Sequence, residues 1–449
     1  MIRTTFMQRG RKTMRSRKSL APVLGGCLLA LAVSGLTGCS GGGTAGTDTL
    51  TWFINPDGGG SSPTGGGQAQ LAAECSQASG GTYTINVELL PNEASDQRQQ
   101  LIRRLAAHDS GVDIMSLDPV VVPEFAEAGY LVNVPDQYVA DFTEDRVQGS
   151  LDASHWNDAL VAAPFWANTQ LLWYRKSVAA AAGLDMTRPV TFDQLAAAAR
   201  STGTDLAVQA KRYEGYTVFV NALVAGAGGT IVQNEGATAE DTRLGLDTPE
   251  GRRAAEVIQE LASSGAVGPA LSSMTETTSL NMFQDEATSG FMLNWMYVYA
   301  AMKENDLSFF DDIGWTTYPR VDADKEAAPP FGGIELGVNT ASQHKDEAWR
   351  AISCITSAEH QKEYMLGTGN AASRSSVFDD PEIAEQFPMA DVFRESLNNA
   401  VQRPRTAYYG DLSAAIQRTW SPPEQVDPSR TPAESTELIM KVLRGEALL

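Results

Sequence analysis

The sequence predicts an α/β protein of two lobes. Three observations carry this: a strand–helix–strand–helix–strand order near the front of the chain, a second series of strands and helices from about residue 168, and the length. Of the 449 residues, 1–38 read as a removable leader, which leaves 411. Single cores stop growing at about 250–300 residues, and longer chains divide.

The leader comes first. Arg3, Arg9, Arg11, Lys12, Arg15, Arg17 and Lys18 precede the charge-free run Leu20–Leu36. That run is interrupted by Pro22, Gly25, Gly26 and Gly35 and falls short of the roughly 20 apolar residues of a spanning helix. It therefore reads as a secretory signal. It ends on Leu36-Thr37-Gly38-Cys39, a lipobox at which a peptidase cleaves and the cysteine thiol takes a diacylglyceryl group. Two acyl chains anchor stably where one does not. The expected location is extracytoplasmic, on the outer face of the cell membrane, with 39–47 as a flexible tether. Met14 is an alternative start, because Met14–Cys39 already forms a complete signal.

Thr49–Ile54 (TLTWFI) is a short strand, followed by the turn-rich stretch Asn55–Gly67 and a helix around Gln68–Ser79. Tyr83–Leu90 is the next strand. In Gln97–Ala107, Leu101, Ile102 and Leu105 share one helical face. Val112–Leu117 is a buried-type strand ending at Asp118-Pro119. This order implies a largely parallel sheet.

The second series starts after Ala162-Ala163-Pro164 with the strand Asn168–Arg175 (NTQLLWYR). Thr191 and Gln194 have capping-box spacing before an Ala-rich helix. Thr248-Pro249 opens another helix, which carries Ala254, Ala255, Val257, Ile258 and Leu261 and stops near Gly265. Phe291–Tyr299 is apolar and aromatic, Ile313–Tyr318 reads as a strand, and a Pro-rich stretch leads to Gly332–Val338. From Asp346 onward the pattern is mostly helical. No fixed-period repeat and no second charge-free run of spanning length is present.

Charge and cysteine usage narrow the function classes. The leader holds seven of the 34 basic residues and none of the 55 acidic ones, so its removal takes the net charge from −21 to −28. Such a surface repels phosphate backbones and anionic headgroups, which excludes nucleic acid as a partner. With Cys27 in the leader and Cys39 lipidated, the body keeps only Cys75 and Cys354. The pair suits either one disulfide of an oxidising compartment or two separately buried thiols. His108, His155, His344 and His360 are scattered without metal-ligand spacing, so neither a metal centre nor a cofactor is expected. GxSxG, HExxH and GxxxxGK[ST] are all absent, and no catalytic residue is assigned.

Ligands of open α/β sheets bind beyond the carboxyl ends of the strands. Asp118 stands at such an end, where a carboxylate can accept two hydrogen bonds from vicinal hydroxyls; before Pro119, it equally suits a helix N-cap. Sugar C–H faces pack on aromatic rings. Trp52, Trp156, Trp166, Trp173 and Trp295 lie near the inferred lobe junctions, with Trp295 foremost, beside Asn294 at a strand end. Gly332-Gly333 suits a close backbone approach or a positive φ.

Taken together, the lipobox, VDIMSLDPVVVPEFAEAGYL, WNDALVAAPFWANTQLLWYRK, FQDEATSGFMLNW and FGGIELGV resemble family 1 extracellular solute-binding proteins of ABC transporters over essentially the whole mature chain. DIMSLD, FAEAG, AAP and NTQLLWYR are most similar to the trehalose-binding lipoproteins of actinobacterial importers. The resemblance implies a type II, maltose-binding-protein-like fold with a hinge crossed three times, near Ala163–Asn168, Met292–Tyr297 and Gly337–Ser342. Lobe 1 is expected to comprise 48–165 plus 296–339, and lobe 2 to comprise 166–295 plus 340–449. It further implies a ligand site of Asp57, Asp118, Asn168, Glu276, Trp295, Gly332, Gly333 and Arg403. The loop around Asp57 is longer and richer in glycine than the family pattern.

The function implied is a non-catalytic, monomeric receptor that passes trehalose or a related α-glucoside to the transmembrane subunits of an ABC permease. The alternatives are the same fold carrying a malto-oligosaccharide or a glycerophosphodiester, a secreted glycosidase, and a structural envelope protein.

Overall fold

The computed structural model describes residues 47–56 and 63–449. The leader, the lipidation site Cys39, the first tether residues and Asp57 lie outside the described residues.

The first three strands follow the predicted order. β1 (Asp48–Ile54), β2 (Tyr83–Leu89) and β3 (Ile114–Leu117) run parallel with β1 in the middle. The helices Gln68–Ala78 and Ala94–Ala106 connect them. Leu50, Trp52 and Ile54 enter one core with Tyr83 and Trp349, while Phe53 enters another with Leu101, Leu105 and Met115. Successive side chains alternate between faces, so a strand covered on both sides reads as one apolar run.

The other strands are a small hairpin, β4 (His155–Trp156) and β5 (Ala159–Leu160), then β6 (Ala163–Arg175), β7 (Asp205–Ala207), β8 (Ser289–Trp295), β9 (Ile313–Thr316) and β10 (Phe331–Val338). β6 is 13 residues long and buried except at Tyr174. Its first half pairs with β10, which pairs with β3. Its second half pairs with β8 and β9, and β8 pairs with β7. The order β2-β1-β3-β10-β6-β8-β7 thus runs through both lobes of the α/β fold, and β6 is the strand they share.

Four expectations are corrected. The sheet is parallel only among β1–β3 and between β7 and β8; β10, β6 and β9 are antiparallel to their neighbours. The local pattern fixes direction only where a crossover helix joins consecutive strands, and β10 has no such link to β3. Second, β6 starts at Ala163 rather than Asn168. Pro164 suggests a boundary, yet it sits opposite Glu335 where the register shifts, a place that tolerates the missing N–H.

Third, β9 pairs with β6 beyond the lobe junction instead of joining the β1 side. Fourth, the helix Lys345–Ile355 packs on the β1 side, because Ala348, Trp349, Ile352 and Ile355 all enter the core of Trp52. Tyr364 belongs to the same core.

Cys75 and Cys354 are joined, sulfur to sulfur at 2.08 Å, and fasten the helices Gln68–Ala78 and Lys345–Ile355 together. On the far side, the helices Phe192–Thr202, Glu214–Gly226, Pro249–Ser264, Tyr409–Thr419 and Thr431–Leu443 surround the largest core. The Thr191 capping box is present, and Gly265 closes its helix in the left-handed conformation. Among the described residues no helix is long and apolar enough to cross a membrane.

Candidate functional site

The sheet's strand ends deliver the site. β3 stops at Leu117, and Asp118 follows as the N-cap of a short 3₁₀ turn, with its Oδ1 accepting from the Val120 N–H at 3.2 Å. The same oxygen receives the Arg403 Nη2–H at 2.6 Å. The cap reading of Asp118 is therefore realised, and its carboxylate also meets Arg403. Arg403 is 3 % exposed, and its other arm donates to Glu214 Oε1 at 2.7 Å. Tyr409 and Ser413 also donate to Glu214. Burial opposes the guanidinium charge, but Asp118, Tyr409 and Glu214 more than offset it, so the pKa of Arg403 lies above the ordinary arginine value.

Asn168 lies midway along β6, opposite Gly332 of β10. Its Oδ1 accepts from the Thr169 N–H at 3.0 Å. β8 ends at Trp295, whose indole lies against Gly332 so closely that a Cβ there would meet the ring at 3.1 Å. Gly333 has φ +136°, and a Cβ would come within 2.3 Å of the Trp166 carbonyl oxygen. The two glycines thus serve the two purposes their sequence suggested, close approach at Gly332 and positive φ at Gly333.

Glu276 opens the helix Glu276–Gln284 and accepts from the Tyr213 hydroxyl at 2.7 Å. Desolvation and the Glu276 charge hold that phenol well above its ordinary pKa, so it stays a donor. Gly215 makes the fold-back feasible, since a Cβ there would lie 2.2 Å from the Tyr213 hydroxyl. At the rim, Lys211 Nζ meets Glu93 Oε1 at 3.3 Å.

Asp118, Asn168, Glu276, Trp295, Gly332, Gly333 and Arg403 all line one cavity of about 520 Å³, inside the range of small-ligand sites of roughly 300–1,000 Å³. Only Asp57 of the sequence-derived set is not placed there. Trp166 lines it too, whereas Trp52 and Trp173 are core and Trp156 bonds Glu127 at the surface.

Sequence reasoning missed Asn55, Glu93, Tyr213, Glu214 and Asn370, which share the same lining. The only local signal was the acidic first turn of the helix at Glu214. The lining carries the carboxylates of Glu93, Asp118, Glu214 and Glu276 against the guanidinium of Arg403, so it is net acidic. Rings of Trp166, Trp295, Tyr213 and Tyr297 stand among amides of Asn55, Asn92, Asn168 and Asn370. Carboxylates and amides can accept from and donate to hydroxyls, and the rings can pack against apolar faces. The metal-ligating groups of three among the described residues all lie elsewhere.

Residues 39–362 match the family model for bacterial extracellular solute-binding proteins. The chain belongs to that family. A probable ABC transporter-binding protein of Deinococcus radiodurans is 24 % identical over 347 residues, covering 74 % of this chain and 80 % of the relative. Among solved structures of solute-binding proteins, this one superposes on maltose-bound MalE3 of T. maritima with TM-score 0.77 and 22 % identity, over 89 % of this chain and 100 % of that one. The GacH receptor of Streptomyces glaucescens follows the same trace with TM-score 0.74 and 20 % identity, again over 89 % and 100 %. These likenesses establish the two-lobe α/β fold of a solute-binding protein.

Proposed function

We propose that this extracellular solute-binding protein captures a neutral carbohydrate, trehalose or a related α-glucoside, in the cavity between its lobes. It then delivers the sugar to an ABC permease without chemical change. The supporting observation is the lining itself: aromatic rings beside carboxylates and amides, with an excess of negative charge. Four carboxylates against one guanidinium disfavour a phosphodiester, since each uncompensated carboxylate would repel the ligand's charge at short range. Hydroxyls suit the same carboxylates as donors.

The placement of the donors supports closure around the ligand. Arg403 links Asp118, after β3, to Glu214 on the far side, and Glu93–Lys211 bridges the rim. A ligand touching both walls favours the closed form by its differential contacts alone. In this reading Cys39 carries the lipid anchor, the protein works as a monomer on the outer face of the membrane, and lobe movement presents a surface to the permease.

Isothermal titration of the purified protein with trehalose, maltose, sucrose, glucose and glycerophosphocholine tests this. A one-to-one trehalose isotherm, without glucose release on incubation, is expected. A clean isotherm with glycerophosphocholine and silence with every sugar would overturn the charge argument.

A further inference from the structure

The strongest feature that the binding cavity does not use lies beside the disulfide. Glu74, on the helix Gln68–Ala78, faces His360 and Glu363, one turn apart on the helix Ala358–Thr368. One ligand atom from each of the three lies within 4.8 Å of the others. His360 Nε2 and Glu74 Oε2 are 3.5 Å apart. Ligands about 2.0–2.2 Å from a tetrahedral zinc ion stand roughly 3.3–3.6 Å from one another. One edge of such a site is already in place, and small side-chain rotations close the rest.

The groups behind these ligands are what make a metal the natural occupant. His360 Nδ1 is 2.7 Å from the Cys354 carbonyl oxygen, which can only accept, so Nδ1 donates there and Nε2 is the nitrogen left facing Glu74. A backbone carbonyl on the far nitrogen is the usual way a metal-binding imidazole is oriented. The Gln70 side-chain amide donates to Glu74 Oε1 at 3.0 Å and to Glu363 Oε1 as well, holding both carboxylates from behind.

We infer that Glu74, His360 and Glu363 form a site for one divalent transition-metal ion of the zinc class, with a coordination position left to solvent. The ion ties together the same two segments of chain that flank the Cys75–Cys354 bond. His360 Nδ1 also lies 3.7 Å from each sulfur, but both sulfurs are bonded to each other and offer no thiolate, so the cysteines are not ligands.

The test uses the purified protein stripped with a chelator and titrated with zinc chloride, read by calorimetry and by the visible spectrum of added cobalt(II). One equivalent is expected, bound at least tenfold more weakly in Glu363→Gln and lost in His360→Ala. His344→Ala, in a separate Asp48–His344–Glu347 group, leaves it unchanged. Thermal melts of each metal-free variant establish that it is folded. Zinc should raise the melting temperature of the wild type and not that of His360→Ala. The inference is overturned by the absence of a stoichiometric isotherm, by binding that survives His360→Ala, or by binding that appears only after reduction of the disulfide, which would place the metal on sulfur.

Discussion

Arg403→Met is the most informative single change to the cavity wall. It keeps much of the side-chain volume and removes a guanidinium that is 3 % exposed and paired with two carboxylates. Asp118 is the more tolerant partner, at 21 % side-chain exposure and with the Val120 N–H still donating to it. Glu214 is only 10 % exposed and keeps just the Tyr409 and Ser413 hydroxyls. Breaking a buried pair from one side costs about 3–5 kcal/mol. Unfolding entropy of about 2.1 cal/mol/K per residue, over a compact unit of roughly 400 residues, converts this into a melting-temperature drop of about 4–6 °C. Adding Glu214→Gln to Arg403→Met removes the stranded charge and should recover roughly half of the loss. Differential scanning calorimetry of the two single variants and the double variant provides the readout. A drop below about 1 °C for Arg403→Met, or no recovery in the double variant, would refute the reasoning.

Gly333→Ala combines a φ of +136° with a 2.3 Å approach to the Trp166 carbonyl, so a loss of roughly 2–6 kcal/mol is expected in thermal melts. Gly332→Ala pushes only on the Trp295 ring; it should spare stability and weaken sugar binding about three- to tenfold by calorimetry. Burial pushes Glu335 up to about 8 from its ordinary 4.5, against the pull of the Ser154 hydrogen bond and the Arg146 charge. A carboxyl that stays protonated in the fold stabilises fully below about pH 4.5, and the contribution is lost as the pH rises through about 8. Glu335→Gln should therefore match the wild type at pH 4.5 and exceed its stability at pH 8 by roughly 3–5 kcal/mol, read by denaturant titration at both pH values. Lys211→Met removes the exposed rim pair with Glu93, and should weaken binding no more than about fivefold, less at high salt.

The parts of this molecule that were legible in the sequence are those set by local rules. The apolar run TLTWFI, the Thr191 capping box and the Thr248–Gly265 helix each declare themselves within a few residues, and each forms as expected. Asp118 was legible because a strand ends before it, and Gly332-Gly333 because a glycine pair after a Pro-rich stretch needs a reason. What stayed hidden depends on partners far along the chain. The direction of β10 is set by β3 and β6, about 220 and 165 residues earlier in the sequence, and no local pattern encodes that. Glu214 looks like any acid in a helix's first turn until Arg403 arrives from 189 residues away. The helix Lys345–Ile355 was misassigned because its apolar stripe says that it packs, not against what. Glu74 and His360 escaped for the same reason, being brought together only by the meeting of two helices.

The central claim is that a neutral sugar occupies the cavity walled by Asp118, Trp295 and Arg403. A crystal structure of the protein grown with trehalose tests it most directly. The account predicts one disaccharide in the 520 Å³ cavity, with a C–H face on the Trp295 ring and hydroxyls donating to the Asp118 carboxylate. A cavity holding only water at saturating trehalose, or sugar bound at some other surface, would contradict it.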